Sequence, residues 1–253
     1  MRYHVFMLPG ETGPRRTSRR NDLIPATKTE GKPMAQELGK IERPTAASFE
    51  GTRKLFLVPL VYSPSEPPAD YVGMLERYWA GVRNQVRRLT ERTGPIRHVY
   101  HEGVFQIGEE GRQTIERLNI RSHTLIHEVC DSEAVVEALE DGEVFAESID
   151  WQRCLMAGLA SHKVLDLAWN GYREATRRRF EVMSERIEQT LKPGEAGLLL
   201  IREEHSIQFP KDVQVFYIAP PALDEIHRWL REREQRERQQ ATNSEAGQQA
   251  TTG

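Results

Sequence analysis

Short apolar runs alternate with longer stretches of helical periodicity along the central part of this chain. Continuous apolar runs are typical of strands buried on both faces of a parallel sheet, whereas apolar residues at every third or fourth position are typical of helices packed on that sheet. Strands are predicted at 55–62, 96–102, 124–129, 198–201 and 213–218. Helices are predicted at 69–92, 109–118, 133–140 and 145–190, and a last helix opens at Pro220-Pro221.

This alternation predicts an α/β fold, with a mostly parallel sheet of about five strands and helices on both faces. The helical stretch at 143–192 is an insertion between the third and fourth predicted strands, and we expect it to cover one edge of the sheet. Gly158 and the region of Ser161 predict a break between two helices. Asp131 or Ser132 is expected to cap the helix at 133–140.

The two ends of the chain lack the apolar periodicity of the middle. Residues 1–53 are rich in Pro, Thr, Arg and Glu, and residues 241–253 are small and polar. Neither segment can bury enough apolar surface to offset the entropy lost on ordering it. We therefore predict one domain over 54–240, between a disordered N-terminal extension and a disordered tail. Met34, as well as Met1, is a candidate for the true start.

The charge distribution weighs against nucleic-acid binding by the folded region. Residues 54–240 contain 25 basic and 31 acidic residues, while residues 1–53 contain ten basic and six acidic ones. The chain has only two cysteines, Cys130 and Cys154, which we expect to be buried free thiols. With no apolar run of membrane-spanning length and no secretory signal pattern, the composition predicts a soluble, cytoplasmic protein.

Polar residues follow two of the predicted strands at the point where each strand ends. His101 and Glu102 come directly before Gly103, and Arg202-Glu203-Glu204-His205 follows Leu198–Ile201. Because the carboxyl ends of parallel strands meet at one edge, where open α/β sheets bind ligands, these side chains are the candidate site.

Each of these residue types suits a particular chemical role. Glu102 is a candidate general base or metal ligand, and His205 is a candidate base or ligand that Glu204 would orient. His101 and Arg202 are candidate substrate-binding residues. The alternatives are structural: Glu102 would cap a helix or pair with an arginine, and residues 202–205 would form an ordinary polar turn.

The arginine run at 177–179 offers a further candidate. At least one of its side chains faces inward on a helix, and Arg179 is a candidate clamp for a carboxylate or phosphate because a guanidinium binds such groups bidentately. The alternative is a solvated helix face. His123 and His127 are predicted on a strand, about 13 Å apart at the usual rise per residue, which is too far to share a metal ion. The metal and cofactor requirements are left unknown.

The order of these pieces resembles the TraB/Tiki and erythromycin-esterase-like superfamily over residues 55–205. Tyr100-His101-Glu102 resembles that family's second-strand acid, Arg179 and Met183 resemble its helix pair, and Leu200–His205 resembles its last strand with a histidine. The resemblance implies a hydrolase-like site. Two features of the family's pattern are missing from this chain, however. The first predicted strand ends in Val61-Tyr62-Ser63-Pro64, without a histidine, and the last predicted strand lacks the glycine that would precede His205.

Two functions lead at this point, and nucleic-acid binding through the basic N-terminus is a third alternative. The first is a hydrolase-like enzyme, with a polar site at the C-terminal edge of the sheet that takes a small-molecule ligand. The second is a non-catalytic binding or regulatory module, which uses the same cleft or binds a protein partner or a second copy through the charged helix at 222–240.

Overall fold

The computed structural model describes residues 51–63, 66–130 and 133–251 of the 253-residue chain, with side chains described as far as residue 240. These residues all belong to one unit, Pro44–Gly253. Nearly all of the predicted N-terminal extension, 1–53, lies outside the described residues, as do the two candidate capping residues Asp131 and Ser132.

In the part of the chain that the structure describes, five strands form a single sheet. They are β1 (Arg53–Pro59), β2 (Ile96–His101), β3 (Val135–Val136), β4 (Ala196–Ile201) and β5 (Val213–Tyr217). The strands lie in the order β3-β2-β4-β1-β5, and every pair of neighbours is parallel. The predicted α/β class is confirmed. The two strands at the centre of the sheet, β4 and β1, are buried at every residue, as their continuous apolar runs predicted.

Helices cover both faces of the sheet, as predicted. Within the described residues they are α1 (Ala69–Thr93), α2 (Gly108–Leu118), α3 (Ile120–Val129), α4 (Gly142–Met156), α5 (His162–Thr190) and α6 (Ala222–Thr251). One face, which we call the α1 face, buries Phe56 and Val58 against α1, α2, α3 and α6. The opposite face, the α5 face, buries Leu55 against Phe180 and Met183 of α5. None of the described helices has an apolar stretch long enough to cross a membrane.

Two predicted elements are wrong. The segment predicted as a strand at 124–129 belongs to α3, where Ser122, Leu125 and Ile126 are buried at helical spacing and the Asn119 side chain accepts from the first backbone N–H groups. The helix predicted at 133–140 contains the two-residue edge strand β3 instead. Val136 is buried there and Val135 is exposed, which is the alternation of a strand.

The predicted insertion consists of α4 and α5, separated at Gly158 and Ser161 as expected. The Asp141 carboxylate caps α4 by accepting from the backbone N–H groups of Glu143 and Val144. The C-terminal half of α5 lies on the sheet, which places Arg179 close to the strand ends. At the other end of the domain, α6 includes residues 241–251, part of the predicted tail at 241–253.

The connections that leave β2 and β4 run to opposite faces of the sheet. After β2 the chain enters α2 and α3 on the α1 face, where Ile115 and Leu125 are buried. After β4 the chain crosses the α5 face, where Ile207 is buried and Phe209 packs beside it. Because β2 and β4 are neighbours, a topological switch point lies between their carboxyl ends, where open α/β sheets place their ligands.

Candidate functional site

Four charged side chains meet at this switch point and form what we call the tetrad: Glu102, Glu140, Arg179 and Arg202. Glu102 follows β2, Arg202 follows β4, Glu140 lies between β3 and α4, and Arg179 comes from α5. Three of the four are sequence-predicted site residues. The structure therefore brings together the two strand ends and the arginine run, as expected from the parallel sheet.

Glu102 lies at the centre of the tetrad and is almost completely buried. Its Oε1 accepts from Arg179 Nη2 at 3.0 Å and from Arg202 Nε at 2.5 Å, and its Oε2 accepts from the Arg202 backbone N–H at 3.1 Å. Burial by itself would raise the pKa of Glu102, but the charges of Arg202 and Arg179 outweigh it and lower that pKa below its ordinary value. Glu102 is therefore an anion that is occupied by donors, which makes it a poor general base.

Glu140 is the tetrad residue that sequence reasoning missed. Its carboxylate binds Arg179 through both oxygens, with Nε 2.9 Å from Oε2, and also accepts the Gly103 backbone N–H at 3.0 Å. The segment around Glu140 was predicted as a helix, so this acid was not recognised as following a strand. The usable signal was the pair Val135-Val136, since Glu140 follows that strand much as Glu102 follows β2.

Arg179 is fixed on several sides. Besides the two carboxylates, the Phe145 ring lies against its guanidinium, with Cζ 4.8 Å from the ring centroid. Burial would lower the pKa of Arg179, but the hydrogen bonds and charges of Glu140 and Glu102 outweigh burial and raise that pKa above its ordinary value. The guanidinium already binds two carboxylates of the protein, so Arg179 positions the other residues of the tetrad. The clamp predicted from the sequence therefore holds internal acids.

Arg202 differs from the other tetrad residues because 43% of its side chain is exposed. Its Nε and Nη2 bind Glu102, and this holds the guanidinium plane in one orientation at the surface. Tyr62, which follows β1, lies near the same edge. Burial and then the Glu102 charge raise the pKa of Tyr62, so its phenol stays neutral.

His205 is half-buried and lies beyond Arg202 in the segment that follows β4. Its Nδ1 accepts the backbone N–H of Ile207 at 3.3 Å, and burial lowers its pKa. In the described part of the chain no hydrogen bond joins Glu204 to His205, and Glu204 is exposed. The neighbouring Glu203 instead accepts the Tyr217 hydroxyl and contacts Nε2 of His227, each at 2.6 Å.

His101 is completely buried, away from solvent at the edge. Its Nδ1 lies 2.6 Å from the carbonyl oxygen of Glu102 and donates to it, which leaves Nε2 as a buried acceptor with no partner among the described residues. Burial lowers the pKa of His101 to about 4, so the ring is neutral at physiological pH.

The remaining candidate ligand residues do not assemble. His123 and His127 lie on α3 rather than on a strand, and no group of three or more His, Cys, Asp or Glu residues within the described ranges is arranged to hold a metal ion. The expectation of two buried thiols is wrong, because Cys130 is half-buried and Cys154 is exposed. Neither cysteine forms a disulfide, and the segments that carry them turn both positions towards the surface.

The comparisons with known proteins identify no relative. No family model matches the chain, and neither a curated protein nor a solved structure matches it. The resemblance to the TraB/Tiki and erythromycin-esterase-like superfamily therefore stays a prediction.

Proposed function

We propose that this protein is a non-catalytic binding module that takes a small ligand with an anionic oxygen group at the C-terminal edge of the sheet. Arg202 is the contact residue, and Glu102 and Arg179 are positioning residues. The observation that carries the proposal is that Glu102 fixes the Arg202 guanidinium on one side while 43% of that side chain stays exposed. An arginine held in this way loses little conformational entropy when it binds a carboxylate or phosphate.

The state of Glu102 favours binding over acid–base catalysis. A general base needs a free lone pair within reach of a substrate proton and a pKa near the working pH. Glu102 is buried, its oxygens accept from two arginines, and its pKa is lowered. The carboxylate is thus suited to orienting Arg202 and not to removing a proton.

Titration calorimetry with inorganic phosphate and with acetate tests the proposal. We expect saturable binding that Arg202→Gln weakens by at least about tenfold, since a hydrogen bond to a charged group contributes about 1.5–3 kcal/mol. Arg202→Lys should weaken binding by less, because lysine keeps the charge but loses the planar fork. Lys211→Gln is the matched control, because Lys211 is an exposed cation of the same connection. Equal affinities in Arg202→Gln and Lys211→Gln would contradict the proposal.

Hydrolysis is the second candidate function, and His205 is the observation that favours it. Burial lowers the pKa of this imidazole, so the ring is neutral at pH 7. It would act as a base once its Nδ1 gives up the long 3.3 Å hydrogen bond from the Ile207 N–H. Ester, amide and phosphoester substrates test this candidate. We expect kcat/KM to rise with pH through a value below the ordinary histidine pKa of about 6.5, and His205→Gln should abolish the activity. A rate that is unchanged in His205→Gln would exclude this mechanism.

The C-terminal helix is a candidate surface for a protein partner or a second copy of the chain. Residues 231–240 of α6 are all exposed, and ion pairs within the helix, such as Arg233 with Glu237, support them. Sedimentation and pull-down experiments on the full chain and on a chain that ends at residue 230 test this. Identical sedimentation and identical captured proteins would rule out a role for this helix.

A further inference from the structure

A surface groove lies between α1 and α3, on the outer side of the α1 face. Its volume is about 330 Å³, and it is lined by Glu76, Trp79, Ala80, Arg83, Arg121 and Thr124. This volume is at the small end of the range for small-molecule sites, which span roughly 300–1,000 Å³. The groove therefore suits a ligand of about the size of a short organic acid.

Trp79 lines this groove and carries a buried, unpaired hydrogen-bond donor. The side chain is 4% exposed, and its indole Nε1–H has no acceptor among the described residues. Buried indole N–H groups usually have a partner, because an unmade hydrogen bond in a dry environment is costly. An acceptor oxygen supplied by a ligand would remove that cost.

The charges around the groove favour an acceptor with a single negative charge. Arg83 is paired with Glu128, so its charge is already balanced. Arg121 is half-buried, and within the described residues its guanidinium has no hydrogen bond or ion pair with an acid. Glu76 adds one negative charge to the same groove. One carboxylate matches the free arginine, whereas a dianion would be repelled by Glu76.

We propose that this groove binds a small monocarboxylate, whose oxygens accept from Trp79 Nε1–H and pair with Arg121 while its apolar body packs on Trp79 and Ala80. The site is separate from the tetrad, since α1 and α3 lie on the α1 face and Arg179 reaches the tetrad from the α5 face. It is assigned by its own residues and does not depend on the function proposed for Arg202.

The indole resonances of the full-length protein test the proposal directly. The chain has four tryptophans, and Trp79→Phe identifies the Trp79 Nε1–H peak in a ¹H–¹⁵N spectrum. Benzoate is the probe, benzamide is its neutral counterpart, and inorganic phosphate at a pH above its second pKa is the dianionic comparison. We expect benzoate to shift the Trp79 peak saturably, with benzamide and phosphate binding at least about tenfold more weakly.

Arg121→Gln is the decisive variant, because this residue is half-buried in the first turn of α3 and its replacement leaves the core intact. We expect it to weaken benzoate binding by at least about tenfold, whereas Arg178→Gln, an exposed arginine of α5, should change nothing. The proposal is overturned if the Trp79 peak does not move at tens of millimolar benzoate. It is also overturned if benzamide or phosphate binds as tightly as benzoate, or if Arg121→Gln binds benzoate with the affinity of the wild type.

Discussion

Glu102 and Arg179, 77 residues apart in the chain, are joined by a buried hydrogen bond of 3.0 Å between Oε1 and Nη2. Both side chains are 5% exposed. The bond connects the end of β2 to the middle of α5, and Glu140 continues the network to the segment after β3. The long helix of the insertion is thereby fixed to the edge of the sheet by charges as well as by its apolar residues.

Arg179→Met should lower the free energy of unfolding by about 3–5 kcal/mol, because it leaves Glu102 and Glu140 buried with one fewer cation. Methionine keeps much of the volume of the arginine stem, so the loss reports on charge pairing more than on packing. Urea denaturation followed by circular dichroism measures it.

Arg178→Met is the matched control, since Arg178 is the preceding residue on α5 and is exposed. Its stability should stay within about 0.5 kcal/mol of wild type. A similar loss in both variants would mean that the tetrad contributes no special stabilisation.

Much of the fold could be predicted from the sequence, because most elements have a clear period. The runs at β1 and β4 and the helical stripe of α1 each allow one interpretation. The elements predicted between residues 120 and 140 are wrong because the hydrophobic patterns there are short. Ile120–Val129 mixes apolar and polar residues in a way that fits either period, and β3 has only two residues, so it depends on pairing with β2 to form at all.

The candidate site was predictable in part, because the strands that end there have a clear pattern. A change from aliphatic to charged residues marks where β2 and β4 end, and that identified Glu102 and Arg202. Which arginine of 177–179 faces inward depends on the exact rotation of α5, and the pairing of Arg179 with Glu140 depends on contacts 39 residues apart. Such contacts are set by tertiary packing, and local sequence does not encode them.

His101 should make the protein less stable in acid. Its pKa is about 4 in the folded state, against an ordinary value of 6.5. The unfolded chain therefore takes up a proton that the folded chain does not, and stability present above pH 6.5 is lost as the pH falls towards 4. The full loss corresponds to about 3 kcal/mol.

Unfolding free energies of wild type and His101→Gln at several pH values test this, and the difference between the two proteins should change steadily between pH 6.5 and pH 4. A difference that does not vary with pH would show that His101 titrates normally.

His98 should behave in the opposite way, because its ring lies between two carboxylates. Nδ1 is 2.8 Å from Glu137 Oε1, and Nε2 is 3.0 Å from Glu195 Oε2. The hydrogen bond to Glu137 raises the pKa of His98, and the bond to Glu195 adds to this effect against the opposing influence of burial. Both ring nitrogens donate when the ring is protonated, so the imidazolium joins β2 to the segments next to β3 and β4.

The stabilisation by His98 is fully present below its unfolded pKa and is lost as the pH rises through the raised folded value. Wild type should therefore exceed His98→Gln in stability by more at about pH 6 than at about pH 9. Glu195→Gln should reduce this pH dependence and keep its sign, because the bond to Glu137 remains. Chemical denaturation at the two pH values measures both effects, and a larger advantage at the alkaline value would contradict the assignment.

Gly171 is required by the contact between α4 and α5. A Cβ atom built at this position would lie 2.6 Å from Cδ2 of Trp151, well inside van der Waals contact, so the indole ring or α4 must shift to make room. Gly171→Ala should lower the free energy of unfolding by about 1–3 kcal/mol despite the better helix propensity of alanine.

Gly142→Ala is the control, because a Cβ at the first residue of α4 would meet nothing within 4 Å. Removing the ring with Trp151→Ala should make Gly171→Ala neutral or stabilising, so a double-mutant cycle should show a coupling of at least about 1 kcal/mol. Additive losses in that cycle would mean that the two helices do not meet at this contact.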